Sequence, residues 1–439
     1  MKRMTIAAVL LLTLGGCGLF GKGEKKAKTP LVGDRVPILT YESGVEVDPG
    51  LADQPVAVPA AVANANWAQP GGNAQKSMGH LELGTALGRA WNVSIASNPK
   101  KARLAAPPVV DNGTLYVIDS EATVHAFDAA SGGRRWETNI GVKGKDEAAA
   151  FGGGVSVESG RAYATTGLGD VVALDASNGK VIWKVRPAGP LRGSPTIFNG
   201  QIYVVSQDNQ IFALNAPDGK TIWNEAGSME NSGIFGVAAP AAAQGTVIAG
   251  FSSGDLTAYR YENGRAVWQD ALSRTSVSTT VASLADIDAS PVIDEGRVYA
   301  VGEGGRMVAL ELVSGQRLWE LNIGGISTPW VAGEWVFVVT DQARLLCISS
   351  ISGKIRWMTQ LQQWRSKKKK DRPISWTGPI LAGNRLLLAN SEGQIMNVAV
   401  EDGKIGTSTK AGNAIHLSPV VANNTLYILD SSGHLSAWR

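Results

Sequence analysis

A nine-residue frame recurs along this chain of 439 residues. Its clearest copy reads Asp175-Ala-Ser-Asn-Gly179-Lys-Val-Ile-Trp183, a turn running into a strand closed by tryptophan. The same Gly-to-Trp spacing returns at Gly132/Trp136, Gly219/Trp223, Gly264/Trp268, Gly315/Trp319 and Gly353/Trp357, and successive tryptophans lie 47, 40, 45, 51 and 38 residues apart. A self-similar period of about 40–50 residues made of short strands is the mark of a β-propeller, with one blade per repeat. Such a fold predicts that function lies in loops and surface rather than in a buried catalytic apparatus.

The blades can be counted. Eight stretches, from 115–118 to 426–429, read as the second strand of a blade, and eight more, from 124–128 to 435–439, read as the third. The last third strand is followed by no fourth. The stretch 81–94 holds Gly88-Arg-Ala-Trp91, a degenerate copy of the frame with Gly and Trp three apart. It is expected to supply the outer strand of the last blade and to close an all-β, eight-bladed ring by pairing the two ends. The repeat at Gly403 departs as well, with Thr407 where tryptophan is expected. The tryptophans read as packing units lying over the next blade's turn glycine, the alternative being a Trp-lined ligand site. Ser194-Pro195, Ala239-Pro240, Ser290-Pro291, Thr328-Pro329, Gly378-Pro379 and Ser418-Pro419 precede inner strands, where a residue without an N–H fits.

Residues 1–16 read as a signal peptide. Met1-Lys2-Arg3 is cationic, and the apolar run at 6–14 is too short to cross a bilayer. Leu14-Gly15-Gly16-Cys17 resembles the lipobox of bacterial lipoproteins, in which the cysteine is acylated; a plain secretory signal with an incidental cysteine is the alternative. The missing Asp after Cys17 implies outer-membrane sorting. Residues 17–79, rich in lysine, proline and small residues, read as a lipid-anchored tether, extended over 18–66, followed by a pre-propeller segment. Residues 80–439 form the propeller.

Several chemistries are excluded. A formal charge of +3 gives no footing for bulk nucleic-acid binding. Cys347 is the only other cysteine and sits in an apolar strand, so neither a disulfide framework nor a cysteine metal site can be built. His80, His125, His416 and His434 have no metal-ligand spacing, and no Ser-His-Asp arrangement can be argued. Gly152-Gly153-Gly154 lacks the Lys-Ser/Thr of a phosphate loop. No metal, cofactor or catalytic residue is expected. Lys367-Lys368-Lys369-Lys370, flanked by Arg365 and Arg372, is either a solvated loop or a contact for anionic lipid headgroups or an acidic partner.

Repeats ending in Ala-Leu-Asp-x-x-x-Gly-x-x-x-Trp resemble the pyrroloquinoline-quinone-type propeller repeat. With the lipobox and the count of eight, the whole chain resembles the BamB family, lipoproteins of the outer-membrane β-barrel assembly (BAM) machinery. Trp67-Ala-Gln-Pro-Gly71-Gly72 and Gly79-His80 are similar to the pre-propeller region of alphaproteobacterial members. The resemblance implies a non-catalytic scaffold on the periplasmic face of the outer membrane, binding the POTRA domains of BamA through loops on one face. Other BAM lipoproteins and unfolded outer-membrane proteins are further implied partners, the latter by pairing with an exposed strand edge. The family's acid-x-acid contact matches Asp286-Ile287-Asp288, whose side chains point the same way on an extended stretch; the other reading is that they satisfy turn N–H groups. Its apolar contact matches Ile234 and Phe235, without the arginine the family carries there. Rival readings are a quinoprotein dehydrogenase, which would need quinone, calcium and usually adjacent cysteines, and an adaptor of another envelope complex.

Overall fold

Within each repeat the third and outer strands pair at one fixed offset, with a small residue facing the tryptophan. Ala126 pairs with Trp136, Ala173 with Trp183, Ala213 with Trp223, Ala258 with Trp268, Ala309 with Trp319 and Cys347 with Trp357. A bulge just before each tryptophan twists the outer strand and turns the indole out of the blade. The ring then lands on the turn glycine of the next blade. At Gly179 (φ +74°) a Cβ would sit 2.4 Å from Trp136, so this turn needs both the left-handed backbone and the missing side chain. Each indole N–H also reaches a carbonyl in the next blade, at 2.8 to 3.2 Å, as in Trp136 to Ala176 and Trp223 to Tyr261. Packing, not a ligand, occupies the repeat tryptophans.

The computed structural model describes residues 45–97, 103–141, 152–228, 238–272, 286–366 and 368–439. Cys17, Ile234, Phe235 and Lys367, with the signal peptide, lie outside them. Eight four-stranded antiparallel sheets form the blades. Blades 1 to 7 begin at Val109, Gly153, Thr196, Ala241, Val292, Trp330 and Trp376, each with its four strands consecutive in sequence. Blade 8 takes Val420–Ala422, Thr425–Leu429 and His434–Trp438 from one end and Arg89–Ser94 from the other. The expected closure is therefore present. Val93 pairs with Leu435 and Trp91 with Ala437, and the bulge falls between Arg89 and Trp91. Trp91 thus stands where every other outer-strand tryptophan stands, over Gly132, although its glycine is one residue nearer. The second and third strands are almost wholly buried and form the cores between blades.

The expected tether does not extend to residue 66. From residue 45 the chain is fastened to the propeller. Asp48 N–H bonds Ile355 O, Asp48 pairs with Lys354 at 2.9 Å, and Arg356 bonds Gln54 O. Residues 64–84 then make a full circuit of the ring. Asn64 O accepts from Asn423 in blade 8; Trp67 pairs with Val110 in blade 1; Ala68 O accepts from Val157 in blade 2. Gln69 Oε1 accepts from Ile197 in blade 3, Ala74 O from Ala242 in blade 4 and Gln75 O from Ile293 in blade 5. Gly79 O accepts from the Trp330 indole in blade 6, Leu81 N–H bonds Leu381 O in blade 7, and Gly84 N–H returns to Asn424 in blade 8. Inner strands of a propeller leave one edge open toward the axis, and an unpaired edge invites pairing. This strap supplies hydrogen bonds at each of the eight in turn. Trp67 (2% exposed) stacks on Trp330 at 6.0 Å.

Candidate interaction site on the loop face

Because the strands of a blade alternate in direction, its turns divide between two faces. Turns between strands one and two, and three and four, lie on one face, which also receives the strap. The other face carries the turns between strands two and three and all connections between blades; it is the loop face. Asp286 and Asp288 lie there, in the connection leading to blade 5.

The alternation argument holds for this pair, but the cation they share is internal. Arg192, from the connection into blade 3, donates through Nη2 to Asp286 Oδ1 at 2.7 Å and Asp288 Oδ1 at 3.0 Å. The Arg192 side chain is fully buried and that of Asp286 is 1% exposed, whereas that of Asp288 keeps 12%. Asp286 is thus not a free carboxylate awaiting a basic groove. It joins two loops from different blades, and Asp288 is the member still open to solvent. Arg192 Nε and Nη1 and Asp286 Oδ2 have no partner among the described residues.

One guanidinium does not balance the acids around it. Burial, then the Asp286 charge, pushes Asp288 up to about 6 against the pull of Arg192. Burial, then the charges of Asp288, Asp286 and Asp341, pushes Glu303 up to about 7. Burial is the larger cause, and the remaining mutual repulsion of these acids is what a cationic partner would relieve. Sequence reading missed Arg192 and Glu303. Arg192 stands two residues before Ser194-Pro195 in an otherwise small and apolar lead-in, and that was its only signal.

The lysine run lies at the tip of a hairpin, Trp364–Ser366 paired with Asp371–Pro373, on the same face. Lys368, Lys369, Lys370 and Arg372 are exposed. At its base Arg365 makes a two-pronged bond to Glu392 at 2.8 and 2.6 Å, so the tip is held outward. Three of the histidines are structural, and the fourth, His416, is exposed. His125 bonds Asp119 at 2.8 Å, and His434 lies 3.2 Å from Asp430. His80 donates from Nδ1 to Pro59 O and accepts from Asn384 N–H at Nε2, pinning the strap. Cys347 is fully buried and its thiol is pushed far above the ordinary range by burial. Among the described residues no group of His, Cys, Asp or Glu could hold a metal ion.

A family model described as "Outer membrane protein assembly factor BamB" matches residues 82–146 and 120–359. Assembly factor BamB of Salmonella typhimurium is 32% identical over 351 residues, covering 79% of this chain and 87% of that protein. That of Escherichia coli is 33% identical over 348 residues, covering 78% and 86%. The chain belongs to the BamB family. The crystal structure of BamB from Moraxella catarrhalis superposes with a TM-score of 0.64 at 18% identity, covering 81% of this chain and 98% of that one. A quinohemoprotein alcohol dehydrogenase from Comamonas testosteroni superposes with 0.67 at 14% identity, covering 86% and 81%. At that identity the likeness concerns the fold alone, and it extends to enzymes and to BamB equally. The strap before residue 82 lies outside the BamB family model's match.

Proposed function

We propose that this protein is a non-catalytic scaffold of the BAM complex, held by lipid on Cys17 at the periplasmic face of the outer membrane. It grips the POTRA domains of BamA with its loop face and so assists insertion of β-barrel proteins. Membership of the BamB family carries this reading; the acid-rich cluster at Arg192 supports the choice of face. Asp288 is the contact carboxylate, with Asp286 and Arg192 holding its loop in place. Ile234 and Phe235, in the connection from blade 3 to blade 4, would add apolar contact. Client strands have the outer edges of blades 2 to 5 to pair with, where Ile182, Ile222, Val267 and Leu318 are exposed beside each bulge. The inner edges are already taken by the strap. Lys368 to Lys370 would meet anionic lipid headgroups from the same face.

The test is a photocrosslinking amino acid at position 288 in cells, with position 182 on the opposite rim of blade 2 as comparison. Capture of BamA through its POTRA segment from 288 and not from 182 is expected. Capture of a different envelope protein from 288 would favour the adaptor reading. Reduction of an acceptor dye after addition of quinone and calcium would favour the enzyme.

A further inference from the structure

The strap turns the propeller channel into a blind cavity of about 220 Å³. Its inner end is built by Trp67, Pro70, Gly71 and Lys76 of the strap, its wall includes Trp330 and Trp376, and exposed Ile326 and His416 stand at its lining toward the loop face. The volume is below that of a drug-sized pocket and suits a small molecule.

Several polar groups in this cavity can donate inward. Lys76 is 2% exposed, and the one hydrogen bond of its side chain among the described residues runs from Nζ to Thr196 Oγ1 at 3.1 Å. Among the described residues no carboxylate lies within ion-pair distance of it; Asp288, which also lines the cavity, is paired with Arg192. The Trp67 indole N–H is buried with no acceptor among the described residues. The Ser290 and Thr328 hydroxyl oxygens accept from the Ala239 and Ser290 backbone N–H groups, which leaves their own hydrogens to donate. A buried ammonium without a counter-charge is costly, and buried donors without acceptors add to the cost. A carboxylate entering the cavity would bring the counter-charge that Lys76 lacks.

We infer that the channel cavity is a ligand site for a small carboxylate with a flat apolar body, the carboxylate on the Lys76 ammonium and the body against the indoles of Trp330 and Trp376. Neither the assembly function nor the contact with BamA requires this site, and the two stand or fall separately. Burial pulls Lys76 down to about 7, so the site is charged and receptive below that pH. A bound carboxylate would hold the proton on Lys76.

The experiment is calorimetric titration of the full chain with 3-phenylpropionate and with its neutral isostere 3-phenylpropanamide, at pH 6 and pH 8.5. One-to-one binding of the acid at pH 6 is expected, with the amide at least ~10-fold weaker. Acid affinity should fall ~10-fold or more at pH 8.5, where Lys76 has lost its proton and Asp288, pushed up to about 6 in the same lining, is charged, while that of the amide stays level. Lys76→Met should abolish the preference for acid over amide and leave the melting temperature equal or higher, since a methionine fills the same space without a buried charge. Equal affinity for acid and amide, no heat with acid up to ~10 mM, or an acid affinity indifferent to pH would each overturn the inference. The comparison of the two compounds on the unaltered protein decides the matter even if the variant fails to fold.

Discussion

Seven seams between blades are closed by one device, and the eighth is not. From Trp91 on Gly132 to Trp357 on Gly403, an outer-strand indole covers the next blade's turn glycine. At the seam from blade 7 to blade 8, Thr407 occupies the tryptophan's place. Its hydroxyl and carbonyl accept from Asn397 Nδ2, which stands where other blades have alanine or cysteine. The reason lies in blade 8, not blade 7. An indole needs a continuous turn ending in glycine to lie on, and blade 8 has none, because its third strand ends at Trp438 and its outer strand begins at Arg89. There Gly88 and Arg439 exchange backbone hydrogen bonds at 2.7 and 2.9 Å. Arg89 bonds Ala411 O across the seam and lies 4.8 Å over the Trp438 ring. The difference teaches that the motif is a property of neighbouring blades, not of a single repeat. A repeat loses its tryptophan when its neighbour cannot receive it.

Three experiments would break or sharpen this contrast. Deletion of residues 81–94 removes the whole closing strand together with Trp91. Lost packing of about 3–5 kcal/mol and five ladder pairs at about 1 kcal/mol each should lower the melting temperature by about 10 °C or more. An unchanged midpoint in a calorimetric scan would mean that the ring does not depend on closure. Next, Trp223→Ala and Trp91→Ala should each cost about 3–5 kcal/mol in denaturant unfolding, the same for an internal and for the closing seam. Thr407→Trp should give nothing back and lose up to about 1 kcal/mol with the Asn397 bonds; a clear gain would show that the eighth seam can take an indole after all. The turn glycines separate the seams as well. Gly264→Ala meets Trp223 at 2.6 Å with φ at +74° and should cost about 2–3 kcal/mol. Gly88→Ala meets only Arg439 O, at 3.7 Å, and should stay within about 0.5 kcal/mol. Equal costs at the two would remove the distinction between the seams.

The ring was legible because it is repetitive. Second and third strands stand within a few residues of their expected positions, since alternation, turn glycines and the closing tryptophan repeat seven or eight times and reinforce one another. The closing strand was legible from a single degenerate copy, since an outer strand was owed and Trp91 was there to fill it. The strap was not. Residues 45–84 carry no period, and their proline, alanine and glycine content also suits a free linker. Their order comes from eight open inner edges brought around one axis, which no local pattern records. The site was half legible. The spacing of Asp286 and Asp288 placed both carboxylates on one side, but Arg192, some ninety residues earlier, became their partner only when blades 3 and 5 closed around blade 4.

What the sequence determined alone was the number of blades, the direction in which each tryptophan packs and the blade in which the two ends meet. All three follow from short-range chemistry: a bulge before an indole, a glycine without a side chain, a strand without a partner. The tertiary structure alone decided which charges are buried together, which edge the strap occupies and that the channel is blind at one end. Those properties depend on distances between residues far apart along the chain, and such distances exist only after the ring has closed.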